Sequence, residues 1–158
     1  MQVAAQGWTV TALDLSAKRL ERLKDNMART ALSAELVTAD IRKWDSTTTY
    51  DAVLLDAPCT ATGTFRRHPD VLHRIGARQI AELVALQSEM LDRAAGWVKP
   101  GGVLVYATCS LEPEEGEAQA EAFLQGHPEF SLSPVDSAHL PGAVTADLWR
   151  LTTRWNAH

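Results

Sequence analysis

The order of apolar and polar positions along the chain alternates between strand and helix patterns. Short apolar and β-branched runs predict strands at residues 9–13, 34–38, 50–55 and 103–107. Apolar residues spaced three and four apart predict helices at 16–32 and 78–97, and an acidic helix follows at 113–125. Such alternation is typical of a mostly parallel sheet covered by helices on both faces, so the predicted fold class is α/β.

Residues 56–75 show neither the strand pattern nor the helix pattern. They contain Pro58, Gly63 and Pro69, which predicts a long loop. Loops of this length are usually functional or disordered. The loop is locally basic and carries one aromatic residue, with Phe65, Arg66, Arg67, His68, His73 and Arg74. Arginine binds phosphate and an aromatic ring stacks on an unpaired base, so RNA contact is one interpretation. The other is a solvated loop that Phe65 anchors.

Composition narrows the class of protein. The chain has 158 residues, enough for one domain, and its formal charge of −5 makes the whole chain a poor electrostatic partner for nucleic acid. No apolar run is long enough to cross a membrane and the first seven residues do not resemble a signal peptide, so we expect a cytoplasmic protein. Cys59 and Cys109 are 50 positions apart without metal-ligand spacing, so neither a metal site nor a disulfide framework is expected.

Acids and thiols follow the predicted strands. Asp14, Asp40 and Asp56 each come at or just after a strand end, with Cys59 three residues beyond Asp56 and Cys109 after the last strand. Ligands bind beyond the carboxyl ends of parallel strands, so these side chains are candidates for one site. Asp14 suits the two hydroxyls of a ribose and Asp40 an adenine amino group. The alternatives are turn carboxylates that bond their own backbone, and cysteines that are small buried apolar residues.

Four segments carry a resemblance to a known family. They read ALDLSAKRLERLKDNMART, VTADIRKW, YDAVLLDAPCTATGTFRRHPDVLHR and KPGGVLVYATCSLEPEEGE, and they lie within residues 11–117. In content, order and spacing they resemble the RNA cytosine-C5 methyltransferases of the RsmB (Fmu/Sun) and NOP group, whose bacterial RsmB members modify 16S ribosomal RNA. The resemblance implies a Rossmann-like class I methyltransferase fold and S-adenosyl-L-methionine as cofactor.

The resemblance also implies roles for individual residues. Asp14 would bind the cofactor ribose, Asp40 would lie near its adenine, and Asp56 would line both the cofactor and target-base pockets. Cys109 would be the nucleophile that adds to cytosine C6, and Cys59 would act when the product is released, as a base or as a gate. RNA, expected to be ribosomal, would be the substrate, with Arg66, Arg67 and His68 in contact with it.

The chain departs from the family pattern at both ends. The first strand and the Gly-rich loop that follows it are not found before residue 9, nor is an amino-terminal RNA-binding domain, and no DGFF-like strand motif is found near the carboxyl end. We therefore expect residues 1–158 to form a partial catalytic domain. The missing strand would lie mid-sheet, which predicts a gapped sheet or a substitute strand, and unpaired edges that favour self-association.

Three alternatives have different signatures. A non-catalytic remnant would keep both cysteines by descent and at most bind RNA or a partner. A nicotinamide-dependent Rossmann enzyme would carry GxGxxG, which this chain lacks. A methyltransferase acting on an amino group needs no thiol and usually has Asn or Asp before Pro-Pro and an aromatic residue, whereas this chain reads Asp56-Ala57-Pro58-Cys59.

Overall fold

The computed structural model describes residues 1–133 and 148–153, and the chain divides into two compact units, Met1–Ser46 and Thr47–His158. Each unit is described separately. Across the described residues, no helix is sufficiently long and apolar to cross a membrane. Those same residues contain no cluster of three or more His, Cys, Asp or Glu side chains placed to hold a metal ion.

The first unit is a two-stranded parallel sheet with helices. Its elements are α1 (Gln2–Ala5), β1 (Thr11–Asp14), α2 (Ala17–Arg29) and β2 (Glu35–Thr38). Ser16 begins α2 as predicted, because its hydroxyl accepts a hydrogen bond from the backbone N–H of Arg19. Leu20 and Met27 are the buried residues of α2, which packs on both strands. The unit therefore places Asp14 and the turn after β2 at the carboxyl ends of parallel strands.

The second unit contains a mixed four-stranded sheet. Its elements are β3 (Tyr50–Asp56), a 3₁₀ helix (Thr62–Thr64), α3 (Val71–Arg74), α4 (Ala77–Ala95), β4 (Val98–Ala107), a second 3₁₀ helix (Pro113–Glu115), α5 (Glu117–Gly126), β5 (Phe130–Ser133) and β6 (Leu148–Thr153). The strand order is β3-β4-β6-β5. β3 and β4 are parallel, whereas β6 is antiparallel to both of its neighbours. The segments that follow β3 and β4 consequently leave the sheet at the same edge.

The core of the second unit lies between β4 and its two longer helices. Buried apolar side chains of this core come from α4, β4, α5 and the start of β5, among them Leu91, Ala94, Leu104, Tyr106, Ala120, Phe123 and Phe130. Phe123 and Phe130 meet edge to face with their ring centroids 5.2 Å apart. This packing anchors both ends of the segment that carries Cys109, because the segment connects β4 to α5.

β4 begins five residues earlier than the predicted strand. The segment from Lys99 to Gly102, expected to separate helix from strand, belongs to the strand and contains an irregularity in the pairing with β3. Gly101 adopts φ +78°, a backbone region that favours glycine, and Lys99 Nζ lies 3.0 Å from the Asp51 carboxylate on β3. Tertiary pairing with β3 therefore extends a strand that the local sequence interrupts.

The loop and the acidic helix also differ from the sequence expectation. Within residues 56–75 the chain forms a 3₁₀ helix and the short α3, so the segment is partly ordered structure. The helix expected over 113–125 is divided at Gly116, whose φ −112° and ψ −103° are not helical. The division separates Glu115 from α5 and leaves it in the preceding 3₁₀ turn.

The carboxyl-terminal strands were not predicted. β5 and β6 make the sheet mixed where a mostly parallel sheet was expected, and β6 forms although the DGFF-like motif is absent. The described strands do not form one continuous sheet, because β1 pairs with β2 alone and β3 pairs with β4 alone, in separate sheets. Self-association through these edges stays a prediction.

Candidate active site

The two cysteines lie side by side at the carboxyl ends of β3 and β4. The Ala57 N–H donates to the Ala107 carbonyl at 3.0 Å, which continues the parallel pairing one residue beyond the end of β3. Cys59 lies three residues after the end of β3 and Cys109 two residues after the end of β4. Their sulfur atoms are 3.4 Å apart, and both thiols are free. The backbone N–H of Cys109 also donates to the Cys59 sulfur at 3.3 Å. The structure thus brings together the two thiols that the sequence separates by 50 positions.

The environments of the two thiols differ. Cys109 is exposed, whereas Cys59 is about half-buried. Burial is the main cause that raises the pKa of Cys59 to about 11, and the N–H groups of Cys109 and Ala61 oppose the shift only in part. At neutral pH Cys59 therefore keeps its proton. The accessible thiol of Cys109 is the one placed to meet a substrate.

The segment after Cys59 is bonded to the segment after Cys109. Gly63 N–H donates to the Cys109 carbonyl at 2.9 Å, and Leu111 N–H donates to Thr62 Oγ1 at 2.8 Å. A Cβ at Gly63 would come within 2.8 Å of the same carbonyl oxygen, closer than real contacts allow. Glycine is required here by the close approach of two backbones, which explains a residue that the sequence marked only as a loop former.

A buried carboxylate lies beneath the two cysteine segments. Glu115 has 0% relative exposure and accepts hydrogen bonds from the Thr60 N–H at 3.0 Å, the Thr60 hydroxyl, and the Ser110 hydroxyl at 2.6 Å. Thr60 follows Cys59 and Ser110 follows Cys109. Sequence reasoning missed Glu115, because an acidic residue in the run Glu112 to Glu117 reads as a favourable charge at a helix start.

Gln87 and Tyr106 complete this buried polar network. The Gln87 side-chain amide donates to the Pro58 carbonyl and to Glu115, both at 2.9 Å, and its oxygen accepts from the Tyr106 hydroxyl at 3.1 Å. Burial, together with the nearby Glu115 charge, raises the pKa of Tyr106. One signal pointed to Gln87: it is a polar residue on the apolar stripe of α4, between Val84 and Leu91.

Asp56 and the basic segment are exposed. The Asp56 carboxylate makes no hydrogen bond or ion pair within the described part of the chain. Arg66, Arg67 and His68 are also exposed and follow the first 3₁₀ helix, while Phe65 retains 37% of its accessible surface. All these side chains are therefore free to meet a ligand, as the sequence interpretation requires.

The acids of the first unit make local contacts. Asp14 accepts from the Ser16 N–H at 2.7 Å and lies 3.4 Å from Arg19 Nη1, with 28% of its side chain exposed. Asp40 accepts from the Arg42 side chain, at 2.8 Å for Nη2, and from the Arg42 N–H at 3.0 Å. These hydrogen bonds lower the pKa of Asp40 to about 2. Both carboxylates thus accept hydrogen bonds within their own turns, as the alternative to a cofactor role expects. The side-chain contact of Asp14 with Arg19 is longer than that of Asp40 with Arg42.

Comparison with known proteins decides the family. The family model described as 16S rRNA methyltransferase RsmB/F matches residues 1–148. This chain belongs to the RsmB/F family. The resemblance stated from the four sequence segments is therefore confirmed.

Individual relatives of the RsmB/F chain agree with this assignment. This chain is 46% identical over 142 residues to ribosomal RNA small subunit methyltransferase B of Salmonella arizonae. The match covers 88% of this chain and 33% of the relative. The chain thus spans about a third of the length of the curated relatives it matches.

Solved structures show the same fold. The crystal structure of PH0851 has a TM-score of 0.77 at 35% identity, covering 92% of this RsmB/F chain and 36% of that chain. The structure of NSun6 from Pyrococcus horikoshii with SFG has a TM-score of 0.73 at 27% identity, covering 95% and 42%. The Rossmann-like methyltransferase fold expected from the resemblance is confirmed.

Proposed function

We propose that this chain carries the cysteine-bearing catalytic part of an S-adenosyl-L-methionine-dependent methyltransferase that modifies C5 of a cytosine in ribosomal RNA. The observation that carries the proposal is the pair of free thiols 3.4 Å apart at the carboxyl ends of two parallel strands, in a chain of the RsmB/F family. A single thiol suits many roles. Two thiols at one sheet edge suit a reaction in which one adds to the substrate and the other assists its release.

Cys109 is assigned as the nucleophile. Cytosine C5 is a weak nucleophile, but addition of a thiolate to C6 forms an S–C6 bond and moves the electron pair of the C5–C6 double bond towards C5. The exposed Cys109 can reach a base, whereas burial keeps Cys59 protonated. After C5 has received the methyl group, loss of the C5 proton re-forms the double bond and expels the Cys109 thiolate.

Asp56 and Cys59 support the two halves of this reaction. Asp56 is exposed and has no partner within the described residues, so its carboxylate is available to bond the N3 and N4 edge of the base and to stabilise the adduct. Cys59 touches the sulfur that must leave, at 3.4 Å, and acts in the release step as a gate, because a thiol that keeps its proton does not serve as the base. Both side chains belong to the turn Asp56-Ala57-Pro58-Cys59, of which they are the first and last residues.

The donor set also suits the cofactor. S-adenosyl-L-methionine supplies an electrophilic methyl group when it is bound. Asp14 would hold the ribose hydroxyls, because its contact with Arg19 is long at 3.4 Å and leaves one carboxylate oxygen able to accept more. Asp40, held by Arg42, would accept from the adenine amino group.

RNA contact is assigned to the exposed segment of Arg66, Arg67 and His68. Arg66 and Arg67 supply positive charge next to the cysteine segment, although the chain as a whole is acidic. Phe65, partly exposed beside them, offers a ring on which an unpaired base can stack. Ribosomal RNA is the proposed substrate because the curated relatives are named as ribosomal RNA small subunit methyltransferases.

The function is tested by identifying the product. We expect the chain, incubated with 16S ribosomal RNA and isotope-labelled S-adenosyl-L-methionine, to transfer the label to RNA. Digestion of that RNA to nucleosides and mass spectrometry should then find the label in 5-methylcytidine. Label on an amino nitrogen or on ribose would contradict the proposed chemistry. An RNA that binds but gains no label would favour the alternative, a non-catalytic remnant.

Cofactor binding gives a separate prediction for Asp14. In calorimetric titration with S-adenosylhomocysteine, Asp14→Asn should weaken binding about tenfold or more, because a hydrogen bond to a charged group contributes roughly 1.5–3 kcal/mol. Asp25→Asn is the matched control, since it removes the same charge from an exposed position in the same unit. Equal affinity of the two variants would remove Asp14 from the ribose role.

A further inference from the structure

One buried carboxylate connects the two residues that directly follow the cysteines. We propose that Glu115 is a positioning residue, which sets the separation of the Cys59 and Cys109 thiols by holding Thr60 and Ser110 together. The consequence for methyl transfer rests on the proposed function. The consequence for the geometry of the thiols does not, and it can be measured without RNA or cofactor.

The contacts converge on the carboxylate from both sides. From the Cys59 segment, the Thr60 N–H lies 3.0 Å from Glu115 Oε1 and the Thr60 hydroxyl contacts Oε2. From the Cys109 segment, the Ser110 hydroxyl donates to the same Oε2 at 2.6 Å. Consecutive Cα atoms are about 3.8 Å apart, so a shift of Thr60 or Ser110 passes directly to the neighbouring cysteine.

The chemistry of this cluster suits a carboxylate and no other side chain. Thr60 N–H, the two hydroxyls and the Gln87 amide are all donors aimed at Glu115, and an ionised carboxylate is a pure acceptor with capacity for four such bonds. Glu115, Thr60 and Ser110 are all buried, at 0%, 5% and 4% exposure, so water does not replace a lost bond. Charge-assisted bonds of this kind are short and strong.

The carboxylate is itself held in place from the body of the unit. Gln87 on α4 donates to Glu115 and also to the carbonyl of Pro58, the residue before Cys59. Tyr106 on β4 donates to the Glu115 backbone carbonyl at 2.8 Å. Because a helix and a strand fix its position, Glu115 acts as a rigid reference for the two cysteine segments.

Among the described residues, no hydrogen bond joins Glu115 to either sulfur, so its effect must pass through its neighbours. The distance between the thiols is therefore the property to measure. In buffers of reduced and oxidised glutathione, oxidised glutathione accepts two electrons from the thiol pair, yielding a Cys59–Cys109 disulfide and two reduced glutathione molecules. The equilibrium constant reports the effective concentration of one thiol at the other.

We expect Glu115→Gln to lower this effective concentration about tenfold or more, because the new amide NH2 faces hydroxyl and N–H donors. Glu114→Gln is the matched control: it changes the adjacent exposed residue of the same 3₁₀ turn and should leave the value within about twofold. A Glu115 that only stabilises the fold would lower the melting temperature and leave the effective concentration of the folded chain unchanged. That result would overturn the proposal.

Two milder variants cover the case in which Glu115→Gln does not fold. Ser110→Ala and Thr60→Val each remove one hydroxyl bond to the carboxylate, together with the 3.0 Å contact between the two hydroxyls, and Thr60→Val keeps the bond from the Thr60 N–H to Glu115. Each should lower the effective concentration by a smaller factor, and unchanged values in both would contradict the positioning role. In the methyl-transfer assay, folded variants should show a lower kcat with little change in KM for RNA. If the unchanged chain transfers no methyl group to RNA, the proposed function is contradicted. The effective concentration of the two thiols still tests the positioning role of Glu115 in that case.

Discussion

Cys109→Ala is expected to abolish methyl transfer to RNA while cofactor affinity stays nearly unchanged. The substitution removes the only atom proposed to form a bond to cytosine C6, and without that bond C5 cannot attack a methyl group at a useful rate. A fall of at least about 10³-fold is expected, as when other enzymes lose a covalent nucleophile. The measurement is the rate at which labelled methyl groups enter 16S ribosomal RNA.

The structure supplies the controls for this experiment. Cys109 is exposed and its side chain is not part of the buried core, so its removal should leave the melting temperature close to that of the unchanged chain. Cys109→Ser keeps the size of the side chain and replaces the thiol by a much weaker nucleophile, and it should be equally inactive. Retained turnover in either variant would remove Cys109 from the nucleophile role.

Cys59→Ala is expected to accumulate a covalent complex between the protein and RNA. Addition needs only the exposed thiol of Cys109, whereas release requires loss of the C5 proton and departure of a sulfur that Cys59 contacts at 3.4 Å. The substitution should therefore slow the second half of the reaction more than the first. Denaturing gel electrophoresis, which separates all species not covalently joined, measures the complex directly.

The double variant Cys59→Ala with Cys109→Ala is the control for that complex. The chain has two cysteines in all, so the double variant has no thiol and should form no adduct with RNA. A band that persists in the double variant would come from another residue. Absence of the band in Cys59→Ala alone, with normal turnover, would show that Cys59 has no part in release.

The position of each thiol was predictable in outline from the motifs, while the difference between their surroundings was not. The segments YDAVLLDAPCTATG and YATCS placed both cysteines after strands, and parallel pairing then implied one sheet edge. The sequence could not show that Cys59 is partly buried, which raises its pKa to about 11, while Cys109 is exposed. That difference arises from how tightly the two segments pack, which depends on contacts 50 positions apart.

The strand β4 and the carboxyl-terminal hairpin show where local patterns fail. The Lys99 to Gly102 segment reads as a helix stop, yet it lies within β4, because Val98 before it and Val103 after it both pair with β3. β6 inserts between β4 and β5 although it lacks the family motif. Backbone hydrogen bonds to a neighbouring strand outweigh intrinsic propensity in both cases, and propensity is the weaker influence in sheets.

The sequence by itself determined the α/β class, the start of α2 at Ser16, the strand ends that carry Asp14, Asp56 and Cys109, and the family, because these depend on local periodicity, capping and short motifs. Only the tertiary structure decided which polar residues are buried together. Glu115 and Gln87 look ordinary in an acidic run and a helix stripe, and they matter because folding places them under two loops distant in the chain. A buried carboxylate that accepts four hydrogen bonds is stable only once those loops have met, so no local pattern of the sequence encodes it.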